Sequence, residues 1–343
     1  MKTQHNAAPR GRVLVLILRV GWQIILLAIL LGLVVWSAAA LWIDGPTSRK
    51  LAGVLAVGFI VGSGVVLYSF ERFRNGVLAV LGLVAVVMAW WFSIPARNDR
   101  NWQPNVAQLA TADIQGNAVT IHNVRNFEYH SETNFTPHWE TRRYDLDQIV
   151  GCDLFMSYWG PTLICHTISS WAFADGQHLA VSIETRKEVG EDYSALLGFF
   201  RQYELYYAVA DERDVIGVRT DYRGENVYLY RINMPRAAAR ALLVDYLDQI
   251  NRLAAHPKWY NALTQNCTTT IRQNAKHVAP VRRFNWRILA NGYFDEMLYT
   301  NGRIDTNLPF AELRQLSDIT AKAKAAGHSP DFSQLIRVGL PMP

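Results

Sequence analysis

The stretch His166-Thr167-Ile168-Ser169-Ser170-Trp171-Ala172-Phe173-Ala174-Asp175-Gly176-Gln177-His178-Leu179-Ala180-Val181-Ser182-Ile183-Glu184-Thr185 reads as two β-strands joined by a turn. β-Branched and aromatic residues fill both arms, and Ala174-Asp175-Gly176-Gln177 supplies the turn chemistry. An odd-length loop pairs Ile168 with Ser182 and His166 with Glu184. One face then carries Trp171, Phe173, Leu179, Val181 and Ile183, and the other carries His166, Ser170, Ser182 and Glu184. A slip of one residue would mix the two sets on both faces. The segregated register is preferred because it buries one wholly apolar face. It also sets a carboxylate opposite an imidazole, at a distance that side chains bridge. A carboxylate behind one ring nitrogen fixes the tautomer and stabilises the imidazolium, as a general base requires. The plain structural alternative is a salt-bridged hairpin edge.

Outward from the hairpin, further strands are predicted over Ala118–His122, Thr141–Leu146, Asp153–Trp159, Glu204–Val209 and Val227–Ile232, with the arms themselves covering Leu163–Phe173 and Leu179–Thr185. Helices follow. Pro235–Ala255 has helical apolar spacing at Leu242, Leu243, Tyr246, Leu247, Ile250 and Leu253, and Pro235 suits a first turn. A helix is expected to open at Asn266, and others over 283–299 and 310–326. Strands followed by helices indicate an α+β fold, an antiparallel sheet plus helices, over residues 96–343.

Residues 1–95 are different in kind. Three apolar runs, Val20–Ile43, Leu51–Phe70 and Val77–Ile94, predict a three-helix transmembrane anchor. Twenty residues rising about 1.5 Å each span the hydrocarbon core. Trp90, Trp91 and Phe92 end the third run as an interfacial belt would. Lys2, Arg10, Arg12, Arg19, Arg72 and Arg74 would share one side, and Arg49, Lys50, Arg97 and Arg100 the other. The larger cluster favours a cytoplasmic N-terminus, which puts residues 96–343 outside the cytoplasm. A cleaved signal peptide ending at Ala38 and Ala40 would leave that domain on the same side. The expected location is the bacterial inner membrane, multi-pass, with the C-terminal domain in the periplasm.

The net charge of +5 comes from the anchor, where eight Lys/Arg oppose two Asp/Glu. No basic face for nucleic acid is implied. Neither His-x-x-x-His nor paired Cys-x-x-Cys occurs, so neither a metal nor another cofactor is expected. His178 is a rival partner at the turn end of the hairpin, and His122, His130 and His138 read as surface residues.

The second informative stretch is Asn266-Cys267-Thr268-Thr269-Thr270. Asn266 is a good N-cap, which sets Cys267 in the first helical turn. Helix N-termini and a neighbouring imidazolium lower thiol pKa values. Asn266, Thr268, Ser182 and Tyr158 are candidates to hydrogen-bond a substrate or its oxyanion, and backbone N–H groups of the first turn could do the same. Three cysteines leave at least one unpaired. Cys152 and Cys165, on neighbouring predicted strands, could pair and leave Cys267 as the free thiol. A capped helix with a buried cysteine is the structural alternative.

Several stretches together resemble the Lnb N-terminal periplasmic domain, a bacterial domain of unknown function. They are Arg125-Asn126-Phe127-Glu128-Tyr129, Thr141-Arg142-Arg143-Tyr144-Asp145-Leu146, Ser157-Tyr158-Trp159-Gly160, His166-Thr167, Ser182-Ile183-Glu184-Thr185-Arg186, Tyr203-Glu204-Leu205 and Asn266-Cys267-Thr268. The resemblance covers roughly 120–280. The family is similar to circularly permuted papain-like thiol enzymes and to lecithin–retinol acyltransferases, in which His precedes Cys. Its named member is implicated in N-acylation of bacterial lipoproteins. The resemblance implies Cys267 as nucleophile and His166 as base, and Glu184 follows from the hairpin register as the third member. The leading expectation is a thiol acyltransferase or acyl hydrolase acting on a membrane lipid or lipoprotein at the bilayer. The alternatives are a cysteine peptidase or amidase of cell-wall peptide, and an inactive binding module.

Overall fold

The computed structural model describes residues 10–262, 285–288 and 290–341. The chain divides into two compact units, Met1–Pro95 and Ala96–Pro343.

The first unit is three helices, α1 (Arg10–Ile43), α2 (Arg49–Ser69) and α3 (Phe73–Ser93). Their apolar spans, Ile17–Ile43, Arg49–Ser69 and Phe73–Ser93, run 27, 21 and 21 residues, long and apolar enough to cross a membrane. Leu30 and Val34 of α1 pack against Val80 and Val84 of α3. Ile24, Ile29, Val54 and Val61 instead face outward. Exposed aliphatic surface on this scale suits hydrocarbon rather than water. The expected aromatic belt is only partly outward. Phe92 is exposed, but Trp91 is buried and its indole N–H donates to Asp44 at 2.6 Å.

The second unit is α+β. Its main sheet has eight strands: β1 (Thr111–Gln115), β2 (Ala118–Arg125), β5 (Trp139–Asp145), β6 (Ile149–Tyr158), β7 (His166–Phe173), β8 (His178–Arg186), β9 (Glu204–Ala210) and β10 (Asn226–Arg231). The order is β1-β2-β9-β8-β7-β6-β10, with β5 also paired to β2. All pairings are antiparallel except the single β2–β9 contact. β3 (Glu128–Tyr129) and β4 (Phe135–Thr136) form a separate ribbon.

Each face of the sheet has its own core. Trp171, Leu179, Val181, Ile183 and Tyr207 pack on α5 (Arg236–Ala255), whose Leu242, Leu243, Tyr246, Leu247, Ile250 and Leu253 are all buried. The opposite face presents Phe155, Ile168, Ala180 and Leu229. It is covered by Val215 and Ile216 of α4 (Glu212–Gly217) and by residues of the C-terminal helices. Those helices are α8 (Thr320–Ala326) and α9 (Phe332–Leu335), whereas Phe294 of α6 (Phe294–Thr300) and Leu313 of α7 (Phe310–Leu316) pack with Leu154, Met156 and Tyr230 in a further cluster.

Three departures from the sequence reading have physical causes. The helix expected over 310–326 is broken at Ser317–Ile319. There the backbone satisfies the open edge of β10: Leu229 N–H donates to Ser317 O at 2.8 Å and Ile319 N–H to Val227 O at 2.9 Å. An unpaired sheet edge outweighs helical continuity. Among the described residues of the helix expected over 283–299, α-helix begins at Phe294, preceded by 3₁₀ turns at Trp286–Ile288 and Asn291–Tyr293. The second of these turns lies so close to the chain at Thr162 that only glycine fits at 292, since a Cβ there would lie 1.8 Å from Thr162 O. Strand β2 continues past His122 through a bulge, with Asn123 at φ 59° and its side chain donating to Leu109 O. Asn tolerates that left-handed conformation better than most residues.

Candidate active site

The hairpin adopts the segregated register. Ile168 pairs with Ser182, Ser169 with Val181 and Trp171 with Leu179. The turn is closed by Phe173 N–H to Gln177 O at 3.0 Å, with Gly176 at φ 88°. That φ suits glycine, which has no Cβ to clash. Trp171, Val181 and Ile183 lie in the α5-facing core, so His166, Ser182 and Glu184 project from the other face.

These three residues form a row. His166 Nε2 lies 2.7 Å from Ser182 Oγ, and Ser182 Oγ donates to Glu184 Oε1 at 2.8 Å. His166 Nε2 is 3.8 Å from the same carboxylate oxygen. The register argument thus places the carboxylate behind the imidazole, and the serine hydroxyl bridges them. Ser182, expected near substrate, is a link in the row instead.

The row continues into residues that the sequence reading missed. Glu184 Oε1 also accepts from Arg219 at 3.1 Å, and Arg219 donates to Glu225 Oε2 at 3.0 Å. Glu225 in turn accepts from the Ser157 hydroxyl. Ser157 is the cross-strand partner of His166 on β6, so the chain of contacts returns to the strand position beside the imidazole. Arg219 sits in a π-helical turn, Val218–Tyr222, that follows α4. Such wide turns concentrate at functional sites. Gly224, at φ 64°, then folds the chain back so that Glu225 N–H donates to Arg219 O at 2.9 Å. The one sequence signal for this element was a lone arginine inside the apolar run Val215-Ile216-Gly217-Val218-Arg219.

Burial sets the electrostatics. The side chain of His166 is 15% exposed, so the ring is enclosed but reachable. Burial first, then the Arg219 guanidinium, lower its pKa from 6.5 to about 3, and Glu184 opposes this only in part. The Glu184 carboxyl is pushed up by burial, yet Arg219 and His166 bring its pKa well below the ordinary carboxylate range. The resting row therefore holds a neutral imidazole and an ionised carboxylate.

Asn266, Cys267 and Thr268 lie outside the described residues, as does the helix expected to open at Asn266. Tyr158 is placed on the opposite face from His166. It neighbours Ser157 along β6, and its hydroxyl donates to Gly292 O at 2.8 Å. That segment also anchors the start of β7. The Asn291 side chain accepts from Cys165 N–H at 2.9 Å and donates to Cys165 O at 2.7 Å. The suggested Cys152–Cys165 disulfide does not form. Cys152 pairs with Trp171, whereas Cys165 precedes His166, about 20 Å away along the strand. No bridge spans that distance. Burial raises the Cys152 thiol pKa far above its ordinary value. His178 bonds Gly176 O at the turn, and His122 pairs with Asp113 on β1. Among the described residues no cluster of His, Cys, Asp or Glu could hold a metal ion.

A neutral imidazole tied through a hydroxyl to a carboxylate can take a proton from a nucleophile and return it to a leaving group. No curated protein and no solved structure matches the chain. The family model of the Lnb N-terminal periplasmic domain matches residues 135–292, somewhat C-terminal of the 120–280 read from the sequence. The segment that holds His166, Ser182, Glu184, Arg219 and Glu225 lies within the residues that match the Lnb N-terminal periplasmic domain.

Proposed function

We propose that the protein is a membrane-anchored thiol acyltransferase or acyl hydrolase that acts on a lipid or lipoprotein at the periplasmic face of the inner membrane. Cys267 is the nucleophile, His166 the base, and Ser182 with Glu184 its support. The observation that carries this reading is the enclosed, hydrogen-bonded row His166–Ser182–Glu184, an arrangement that a hairpin needing only to pack has no use for.

Cys267 Sγ attacks the carbonyl carbon of an ester or thioester while His166 accepts the thiol proton. The carbonyl π electrons move to oxygen. When they return, the C–O or C–S bond to the leaving group breaks and the leaving group takes the proton from His166. An amine, alcohol or water then attacks the acyl-enzyme, again losing its proton to His166, and the thiol is restored. The negative charge developing beside the ring during attack raises its basicity, so an imidazole that is neutral at rest still serves.

An apolar rim supports a lipid over a cell-wall peptide. Trp159, Leu163 and Ile164, just ahead of His166, are each more than half exposed. The uncharged loop they occupy suits an acyl chain better than a peptide backbone. Lipid and lipoprotein profiling of a Cys267→Ala strain tests the proposal. An accumulating acyl donor or unacylated acceptor is expected. An unchanged lipid and lipoprotein profile beside altered cell-wall peptides would replace it with the amidase reading.

A further inference from the structure

The ring of buried polar groups under His166 has a role that the dyad alone does not need. Ser182 has one hydroxyl proton, and it goes to Glu184. The ionised carboxylate has none to give back. At 2.7 Å the contact between His166 Nε2 and Ser182 Oγ must therefore use the proton of Nε2. That leaves Nδ1 as the nitrogen with a lone pair, and Nδ1 makes no hydrogen bond to any described residue. Direction along the row is set by its far end. Arg219 can only donate, and it donates to Glu184 and Glu225. Both carboxylates are thereby held as acceptors, and both serines must point their protons at them.

Three arginines and four carboxylates surround the ring. Glu184 of β8 faces it directly. Arg219 and, just beyond the π turn, Arg223 face Glu184 and Glu225, with Arg223 also paired to Glu132 at 3.0 Å. Arg125 of β2 is matched to Asp214 of α4 at 2.7 Å. Each cation has its anion without any contribution from the imidazole. A proton on His166 would be held in an enclosed site with the Arg219 guanidinium on the far side of Glu184, and burial and that cation both oppose it.

We propose that Arg219 is a positioning residue: through Glu184 and Ser182 it fixes His166 as the neutral Nε2–H tautomer, so that Nδ1 meets the nucleophile and the resting pair is thiol–imidazole rather than thiolate–imidazolium. The choice of nitrogen and the resting charge rest on the reading of His166 as the base. The hydrogen-bond argument for the tautomer stands without it.

The test is nitrogen-15 NMR of histidine-labelled full-length protein in detergent, with the His166 resonances identified by their loss in His166→Gln. The wild-type ring should show the Nε2–H pattern from about pH 5 to 8, with no titration. In Arg219→Gln, Glu184 remains without its cation, and the ring should titrate between about pH 5 and 7. Arg219→Lys keeps a charge but cannot span both carboxylates, and should shift titration up by about one unit. A merely structural Arg219 would not move these signals in a folded variant. A wild-type His166 that titrates near pH 6.5, shows Nδ1–H, or is unaffected in both variants would overturn the proposal. Should Arg219→Gln fail to fold, the wild-type spectrum and Arg219→Lys decide it. Iodoacetamide labelling of Cys267 separates the two readings. Thiol–imidazole pairing predicts a labelling rate that rises with pH toward about 8.5, without an acid plateau, and that changes in His166→Gln. An identical profile in His166→Gln would remove His166 as the base, while the tautomer result would be unaffected.

Discussion

His166 and Glu184 face each other from adjacent strands with 3.8 Å between Nε2 and Oε1, and the Ser182 hydroxyl fills the gap at 2.7 and 2.8 Å. The carboxylate acts on the ring through a third side chain. Its influence therefore depends on a residue that carries no charge.

Ser182→Ala should consequently cost nearly as much as Glu184→Gln. Both break the link behind Nε2, and each is expected to lower acyl-enzyme formation by about 10- to 100-fold. Cys267→Ala and His166→Ala should abolish it, a loss of at least about 10³-fold, and the double variant should be no worse than either single one. Trapping with a thiol-directed acyl analogue measures this. A full-rate adduct in Cys267→Ala would exclude the mechanism, with circular dichroism verifying the fold.

Two buried groups give opposing pH dependences of stability. His166 has its folded pKa lowered to about 3 from 6.5. The unfolded chain binds that proton first, so stability falls as pH drops from about 6.5 toward 3. The loss at pH 4 is on the order of 3 kcal/mol. Glu204 has its folded pKa raised to about 7 from 4.5 by burial, against Arg100. There the folded state holds the proton longer, and stability falls as pH rises from about 4.5 through 7. Urea unfolding in detergent should show His166→Gln flattening the acid limb and Glu204→Gln flattening the neutral one. Parallel curves for wild type and both variants would contradict this.

Gly292→Ala should be disruptive out of proportion to one methyl group. The new Cβ would meet the Thr162 carbonyl at 1.8 Å, and neither backbone can move freely. A loss of about 2 kcal/mol or more is expected. The neighbouring Asn291→Ala removes both bonds to the Cys165 backbone and should cost about 2–3 kcal/mol. Thermal unfolding of the two variants tests whether this clamp holds the start of β7. Wild-type melting in both would show that it does not.

Topology has its own test. A reporter active only when exported, fused after residue 100, should be active. An inactive but stably produced fusion would refute the periplasmic placement of residues 96–343.

Arg337→Leu should be the most destabilising change on the α4-facing side. The guanidinium bridges Asp153 at 2.8 Å and Glu212 at 2.6 Å, and both carboxylates are buried. Leaving them without that partner is expected to cost about 3–5 kcal/mol. Arg337→Lys should recover only part of this, since an ammonium lacks the fork. Equal melting temperatures for wild type and Arg337→Leu would show the bridge to be dispensable.

The hairpin was legible because its two faces differ so sharply. Trp171, Val181 and Ile183 can share a side with one another but not with Glu184, and that constraint alone sets the register. Helix α5 was equally legible from Leu242 to Leu253, where burial repeats with the helical period. The rest of the candidate site was not. Arg219 and Glu225 reach the row through a π turn and a glycine at positive φ, and neither leaves a periodic trace. Strand β1 is a polar edge with one buried residue, Ala112, so its alternation is faint. The break at Ser317–Ile319 answers a demand from β10, more than eighty residues earlier, which local sequence does not record.

The Arg337 bridge also bears on how the protein is made. Asp153 has an earlier partner in Arg231 of β10, 78 residues downstream, whereas Glu212 waits for Arg337, 125 residues downstream. At a synthesis rate of about 5–20 residues per second, the Glu212 carboxylate emerges about 6–25 s before that cation. During that interval the nascent domain cannot close this side of its sheet without burying an unpaired acid. Closure of this side is thus tied to the arrival of Arg337, and a product truncated before it is expected to be cut by proteases at its unfinished core.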